Sequence, residues 1–240
     1  MSLDFEELDY QSTLIGDISL RRRRDPQLGD QLIFEVKLGD EFLMSSLVTA
    51  GEIALADCGL SQCEGQSLDV VVGGLGLGYT ACAALKHDRV GSVMVIEALA
   101  PVIEWHRRGL VPLGAELNAD DRCRLVCGNF FALAGSVDGF DHEAPARRVH
   151  AVLLDIDHSP RQRLADVDDD FYRREGLLRL SKHLLPGGVF SVWSNDPPDD
   201  EFMTELKKVF DSVHTEVVDF PTPYTGDIAS NTIYVAKVLS

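Results

Sequence analysis

A β-branched run that breaks into glycines constrains this chain more than any other feature: Leu68-Asp69-Val70-Val71-Val72-Gly73-Gly74-Leu75-Gly76-Leu77-Gly78. The run predicts a buried strand. The glycines let the chain turn sharply and bring bare backbone against a ligand before a helix that starts at about Tyr79. Glu97 ends a second apolar run, Val93-Met94-Val95-Ile96, and stands 21 residues after Gly76. An acidic side chain at that spacing, on the neighbouring strand, can accept hydrogen bonds from both hydroxyls of a ribose. Strand, glycine loop, helix and acid together predict a nucleoside-binding site.

The 240 residues are 45% hydrophobic, enough to bury one sizeable core or a main domain with a small appendage. No apolar run approaches the ~20 residues that span a bilayer. The start, Met1-Ser2-Leu3-Asp4-Phe5-Glu6-Glu7, lacks a signal-peptide pattern, so a cytoplasmic location is expected. Five cysteines are expected to be reduced thiols. Neither Cys58/Cys63 nor Cys123/Cys127 has zinc-knuckle spacing, and no metal site is expected. A formal charge of −17 opposes binding to nucleic acid or anionic membranes and favours a small cationic substrate. The one basic run, Arg21-Arg22-Arg23-Arg24, reads as solvated charge at the end of a surface strand, where it discourages strand pairing.

Residues 12–46 read as a small antiparallel sheet with strands at Ser12 to Arg23, Gln31 to Lys37 and Glu41 to Ser45, followed by a helix around Leu47 to Ala56. From Asp69 strands and helices alternate, which predicts a parallel sheet covered on both faces. Helices are expected at Tyr79 to Lys86 and from about Pro101, and strands at Arg122 to Cys127 and Val149 to Leu154. Asp168-Asp169-Asp170 is expected to open a long helix running to about Leu184, stopped by Pro186-Gly187-Gly188 before a strand at Val189 to Trp193. A helix at Asp199 to Phe210 precedes Val213 to Phe220 and Thr232 to Val238, which are expected to pair as an antiparallel hairpin.

Seven strands closed by an antiparallel hairpin, a glycine loop after the first and an acid after the second resemble the class I S-adenosylmethionine-dependent methyltransferase fold. The closer resemblance is to the spermidine synthase (aminopropyltransferase) branch, which carries a small N-terminal β-domain as well. It runs from about Tyr10 to the C-terminus and rests on Tyr10-Gln11, Asp40-Glu41-Phe42, Gly73-Gly74, and Pro221-Thr222 with Gly226. It implies an α/β fold with a small N-terminal β-domain over residues 1–48 and a Rossmann-like cofactor-binding domain over 49–240. It also implies cofactor contacts from Gln11, Gly73, Gly74, Gly76, Gly78, Glu97, Asn129 and Phe130. The Asn129 amide oxygen would accept from the adenine amino group, and Phe130 would pack on the ring. A homodimer is a further expectation.

Departures from that pattern bear on function. The synthases' glycine loop reads Gly-Gly-Gly-Asp-Gly-Gly, and its Asp meets the free amino end of decarboxylated S-adenosylmethionine; here the position is Gly76. Without that carboxylate an amine loses a charge-assisted hydrogen bond, whereas the α-carboxylate of ordinary S-adenosylmethionine escapes repulsion. After Asp40-Glu41-Phe42 the synthases place a Tyr and other polar groups, and this chain has Leu43-Met44-Ser45-Ser46. Their Asp-Ser-Ser-Asp-Pro becomes Asp155-Ile156-Asp157-His158-Ser159-Pro160, with His158 at the second acid.

Transfer from a sulfonium chiefly requires holding the nucleophile in line with the reacting carbon in a dry pocket. Asp155, at the carboxyl end of its strand, is the candidate to orient an amine or take its proton, with Asp157 and His158 as further options. Trp193, Asn195 and Asp196 are candidates to line the acceptor pocket. The leading expectation is methyl transfer from S-adenosylmethionine to a small, cationic acceptor. The alternatives are aminopropyl transfer from decarboxylated S-adenosylmethionine to a diamine, or a non-catalytic nucleoside-binding relative. An NAD-linked dehydrogenase fits less well, because its fingerprint needs a small residue where this chain has Tyr79.

Overall fold

The structure, a computed structural model, describes residues 5–156, 158–162 and 170–239. Its first part is a four-stranded antiparallel sheet in the order β1 (Phe5–Thr13), β2 (Gly16–Asp25), β3 (Gln31–Leu38), β4 (Glu41–Ser45). The single strand expected from Ser12 to Arg23 is two strands. The chain reverses at Leu14-Ile15, where both side chains are exposed at the tip and Thr13 pairs with Gly16. That turn carries no Pro, Asn or Asp-Gly, and its apolar residues mimic a continuing strand.

The arginine run also differs from its expected setting. It lies on β2, an interior strand with a neighbour on each side. Glu7 and Glu6 of β1 answer Arg21 and Arg22 at 3.6 and 2.7 Å, and Arg23 lies 2.6 Å from Asp25 and 2.8 Å from Glu35. Opposite charges on adjacent strands let a basic run sit inside a sheet.

After helix α1 (Ala50–Ser61) the chain builds a seven-stranded sheet. Its elements are β5 (Leu68–Gly73), α2 (Tyr79–Leu85), β6 (Val90–Glu97), α3 (Ala100–Arg107), α4 (Gly114–Ala119), β7 (Cys123–Cys127), α5 (Phe130–Gly135), β8 (Val149–Leu154), α6 (Arg174–Ser181), β9 (Leu184–Ser194), α7 (Asp200–Lys207), β10 (Ser212–Pro221) and β11 (Ile228–Lys237). The strand order is β10-β11-β9-β8-β5-β6-β7. Strands β5 to β9 are parallel, and β11 is antiparallel to both β9 and β10. This is the expected Rossmann-like sheet with its closing hairpin.

Alternation along the strands assigns each residue to one of two cores. Val70, Val72, Val93, Val95, Ala151 and Leu153 face α1 to α4, and Ile18, Leu20 and Val36 of the first sheet join them. Val71, Met94, Ile96, Val152, Leu154 and Phe190 face α5 to α7. The first sheet therefore packs on the side that carries α1 and α2, where it overhangs the strand ends.

Two helix boundaries depart from expectation. Helix α1 starts at Ala50 and not at Leu47, with Thr49 at its N-cap position. The long helix expected up to Leu184 is the eight-residue α6, because Leu184 already pairs with Val149 in the sheet and Pro186-Gly187-Gly188 forms an irregularity inside β9. Asp168 and Asp169, expected at that helix start, lie outside the described residues, as does Asp157. No helix among the described residues is long and apolar enough to cross a membrane.

Candidate active site

A cavity of about 250 Å³ opens at the carboxyl ends of β5, β6 and β8, under the overhang of the first sheet. In an open parallel sheet this is where ligands bind. The loop after β5 forms its floor. Asp155 N donates to Gly73 O at 2.8 Å and Gly74 N donates to Ile96 O at 2.9 Å, so the loops after β5 and β8 run against each other. Gly74 has φ +94°, and a Cβ there would stand 2.1 Å from the Asp155 carbonyl oxygen. Only glycine fits that close approach.

Glu97 lines the cavity at the end of β6, where its Oε2 accepts from Leu75 N at 3.0 Å and its Oε1 from Leu99 N at 2.8 Å. Burial raises its carboxyl above the usual range while these amides pull the other way. Asn129 caps α5, its Oδ1 accepting from Ala132 N at 3.1 Å, and also lines the cavity. Phe130 follows it, almost wholly buried against Phe140 and Phe171, and borders the cavity together with Phe131.

Asp155 stands at the end of β8, where Thr80 Oγ1 donates to its Oδ2 at 2.7 Å. His158 Nε2 lies 3.0 Å from Glu41 Oε1, linking the loop after β8 to the first sheet. The cavity thus gathers Gly74, Gly76, Glu97, Asn129, Phe130, Asp155 and His158. Gln11, Gly73 and Gly78 lie outside its lining: Gln11 is on β1 with its amide on Asp9 at 2.8 Å, Gly73 ends β5, and Gly78 precedes α2. Of the acceptor-pocket candidates, Trp193 lines the cavity, whereas Asn195 accepts from Asn231 and Asp196 borders a separate surface hollow.

Three residues were not singled out from the sequence. Glu52, on α1, lines the cavity beside Asp155. Burial and the Asp155 charge push its carboxyl up to about 8, and burial pushes Asp155 up to about 6. Met44 lies over the glycine loop, and a Cβ on Gly76 would fall 2.4 Å from its Cε. His106 is fully buried behind that loop with Nε2 2.8 Å from Gly76 O, and burial holds its ring below the usual histidine range. The neutral ring donates from Nε2 and braces the loop. A lone Glu or His within a helical pattern carries no signal of what the fold sets across from it.

No protein-family model matches the chain. Solved structures do. Spermidine synthase from Thermotoga maritima superposes with a TM-score of 0.69 at 19% identity, over 96% of this chain and 72% of that one. A spermidine synthase in complex with the transition state analogue AdoDATO gives 0.72 at 20% identity, over 96% and 73%. Human methyltransferase-like protein 13 in complex with SAH gives 0.53 at 18% identity, over 78% and 79%. The chain therefore has the spermidine synthase-like form of the fold that it also shares with a methyltransferase, and the match to the synthases takes in 96% of this chain, its N-terminal four-stranded sheet included.

Proposed function

We propose that this protein is a cytoplasmic transferase that takes its group from an S-adenosyl sulfonium cofactor, and that the reaction is methyl transfer from S-adenosylmethionine to a small amine. In this reading residues 1–48 form a β-module that roofs a cofactor-binding domain over 49–240. Glu97 receives the ribose hydroxyls beside the backbone amides that already hold its carboxylate. Phe130 and Phe131 border the adenine, and Asn129 meets its amino group. Gly74 and Gly76 let the backbone approach the sulfonium side. Asp155 orients the amine and takes its proton, with His158 near the mouth.

The observation that carries methyl over aminopropyl transfer is the pairing of Gly76 with Met44. Where the synthase pattern has an acid for a free amino end, this chain has no side chain, and a thioether fills the space a Cβ would take. An apolar cover offers an aminopropyl ammonium no partner, and it leaves the α-carboxylate of the ordinary cofactor unopposed by negative charge. The competing aminopropyl reading is favoured by the acidic pair Glu52 and Asp155, since two carboxylates suit a diamine end.

The two reactions leave different by-products. Incubation with S-adenosylmethionine and a pool of primary amines is expected to release S-adenosylhomocysteine, read by chromatography. Release of methylthioadenosine from the decarboxylated cofactor with 1,4-diaminobutane, and no S-adenosylhomocysteine from the ordinary one, would assign the alternative.

A further inference from the structure

The acceptor end of the cavity has an unusual charge arrangement. Three carboxylates line the cavity without a Lys or Arg partner among the described residues. Glu97 is held by backbone amides at the nucleoside end, which leaves Glu52 and Asp155, and the one lining histidine, His158, is already paired with Glu41. Thr80 joins the two elements that carry the acids: its hydroxyl lies 2.7 Å from Asp155 Oδ2 and 3.3 Å from the Glu52 main-chain carbonyl oxygen, so it ties α1 to the end of β8. The surrounding wall is apolar, built by Ile15 from the β1–β2 tip, Val36, Leu43, Met44, Ile156 and Trp193.

We propose that Glu52 and Asp155 form a two-carboxylate cradle for the ammonium of an acceptor with a single cationic head and an apolar body, and that Glu52 sets this specificity. Uncompensated acids in an apolar cavity are unfavourable unless a cation joins them, and a bound ammonium supplies that cation. A second cationic end, as in a diamine, would instead meet the methionine, leucine, isoleucine and tryptophan side chains of the wall, with no anion to pay for its desolvation. The elevated carboxyl pKa values of the pair agree with a site that is short of one positive charge.

The inference rests on the transferase reading, and the chemistry follows from it. The ammonium gives one proton to the cradle. Its nitrogen lone pair then attacks the carbon on the sulfonium, so that an N–C bond forms as the C–S bond breaks and the bonding pair stays on sulfur as a neutral thioether. The product leaves as an alkylated ammonium, and the cradle's proton passes to water.

The test is calorimetric titration of the protein saturated with S-adenosylhomocysteine, using hexylamine, 1,4-diaminobutane and hexanol as probes. Hexylamine is expected to bind at least about tenfold more tightly than either of the others. Glu52→Gln and, independently, Asp155→Asn are expected to weaken hexylamine about tenfold while leaving the affinity for S-adenosylhomocysteine unchanged. Thermal unfolding verifies that each variant is folded. The cradle is overturned by tighter binding of the diamine, by equal binding of the alcohol, by no hexylamine binding, or by a Glu52→Gln loss that falls on the nucleoside. If S-adenosylhomocysteine itself does not bind, the transferase reading fails, a result distinct from failure of the cradle alone.

Discussion

Replacing Glu52 by Gln is predicted to stabilise the protein, by an amount that grows with pH. The carboxyl is pushed up to about 8 in the fold, against 4.5 as its ordinary value, by burial first and by the Asp155 charge second. A folded-state pKa above the unfolded one means that the native state holds the extra proton. The associated stability is fully present below about pH 4.5 and is lost as pH rises through about 8. Linkage sets a ceiling of about 5 kcal/mol for the whole loss, and water reaching the half-buried side chain reduces this to about 1–3 kcal/mol. Gln is nearly isosteric with the protonated acid and cannot ionise. At pH 5 parent and variant should therefore unfold within about 1 kcal/mol of each other, whereas at pH 8.5 the variant should melt about 3–10 °C higher for a chain of this size. Circular-dichroism melts of both proteins across pH 5–9 measure the difference. Parallel pH profiles, or a variant less stable at high pH, would refute the buried acidic pair.

Further predictions concern the loop and the nucleoside end. Gly74→Ala drives a Cβ to 2.1 Å from a backbone oxygen at φ +94°, so a loss of at least about 2 kcal/mol in denaturant unfolding is expected, together with loss of S-adenosylhomocysteine binding. Glu97→Gln turns one of the two oxygens that accept backbone N–H groups into a donor and removes the charge assigned to the ribose, so it should weaken S-adenosylhomocysteine about 10- to 100-fold by calorimetry and lower the melting temperature. Gly76→Asp, which must displace the tip of Met44, should shift the ratio of affinities toward decarboxylated S-adenosylmethionine by about tenfold or more.

What was legible in the sequence is what local pattern encodes. The run Val70 to Val72 reads as a strand buried on both faces because each of its residues is apolar, and Val149 to Leu154 does so because all of its residues but His150 are apolar. The glycine loop and Glu97 announce their meeting through spacing, and they meet. The hairpin of β10 and β11 follows from a connection with no room for a crossover. What stayed hidden depends on partners distant in sequence. The arginine run is interior because acids of β1 lie across from it, and β1 itself is rich in acids and does not read as a strand. Glu52 has the spacing of an ordinary helix surface residue, and only the packing of α1 against the ends of β8 and β9 brings it to Asp155. Met44 reads as a strand apolar residue, and its place over Gly76 is a property of the two sheets together.

The central claim is that this cavity prefers the ordinary cofactor because Gly76 and Met44 replace an acid. Calorimetric titration with S-adenosylmethionine and, separately, with its decarboxylated form tests it directly. Tighter binding of S-adenosylmethionine, by about tenfold or more, is the predicted result. A preference for the decarboxylated form would contradict the account and return the protein to aminopropyl transfer, and binding of neither would contradict the nucleoside site itself.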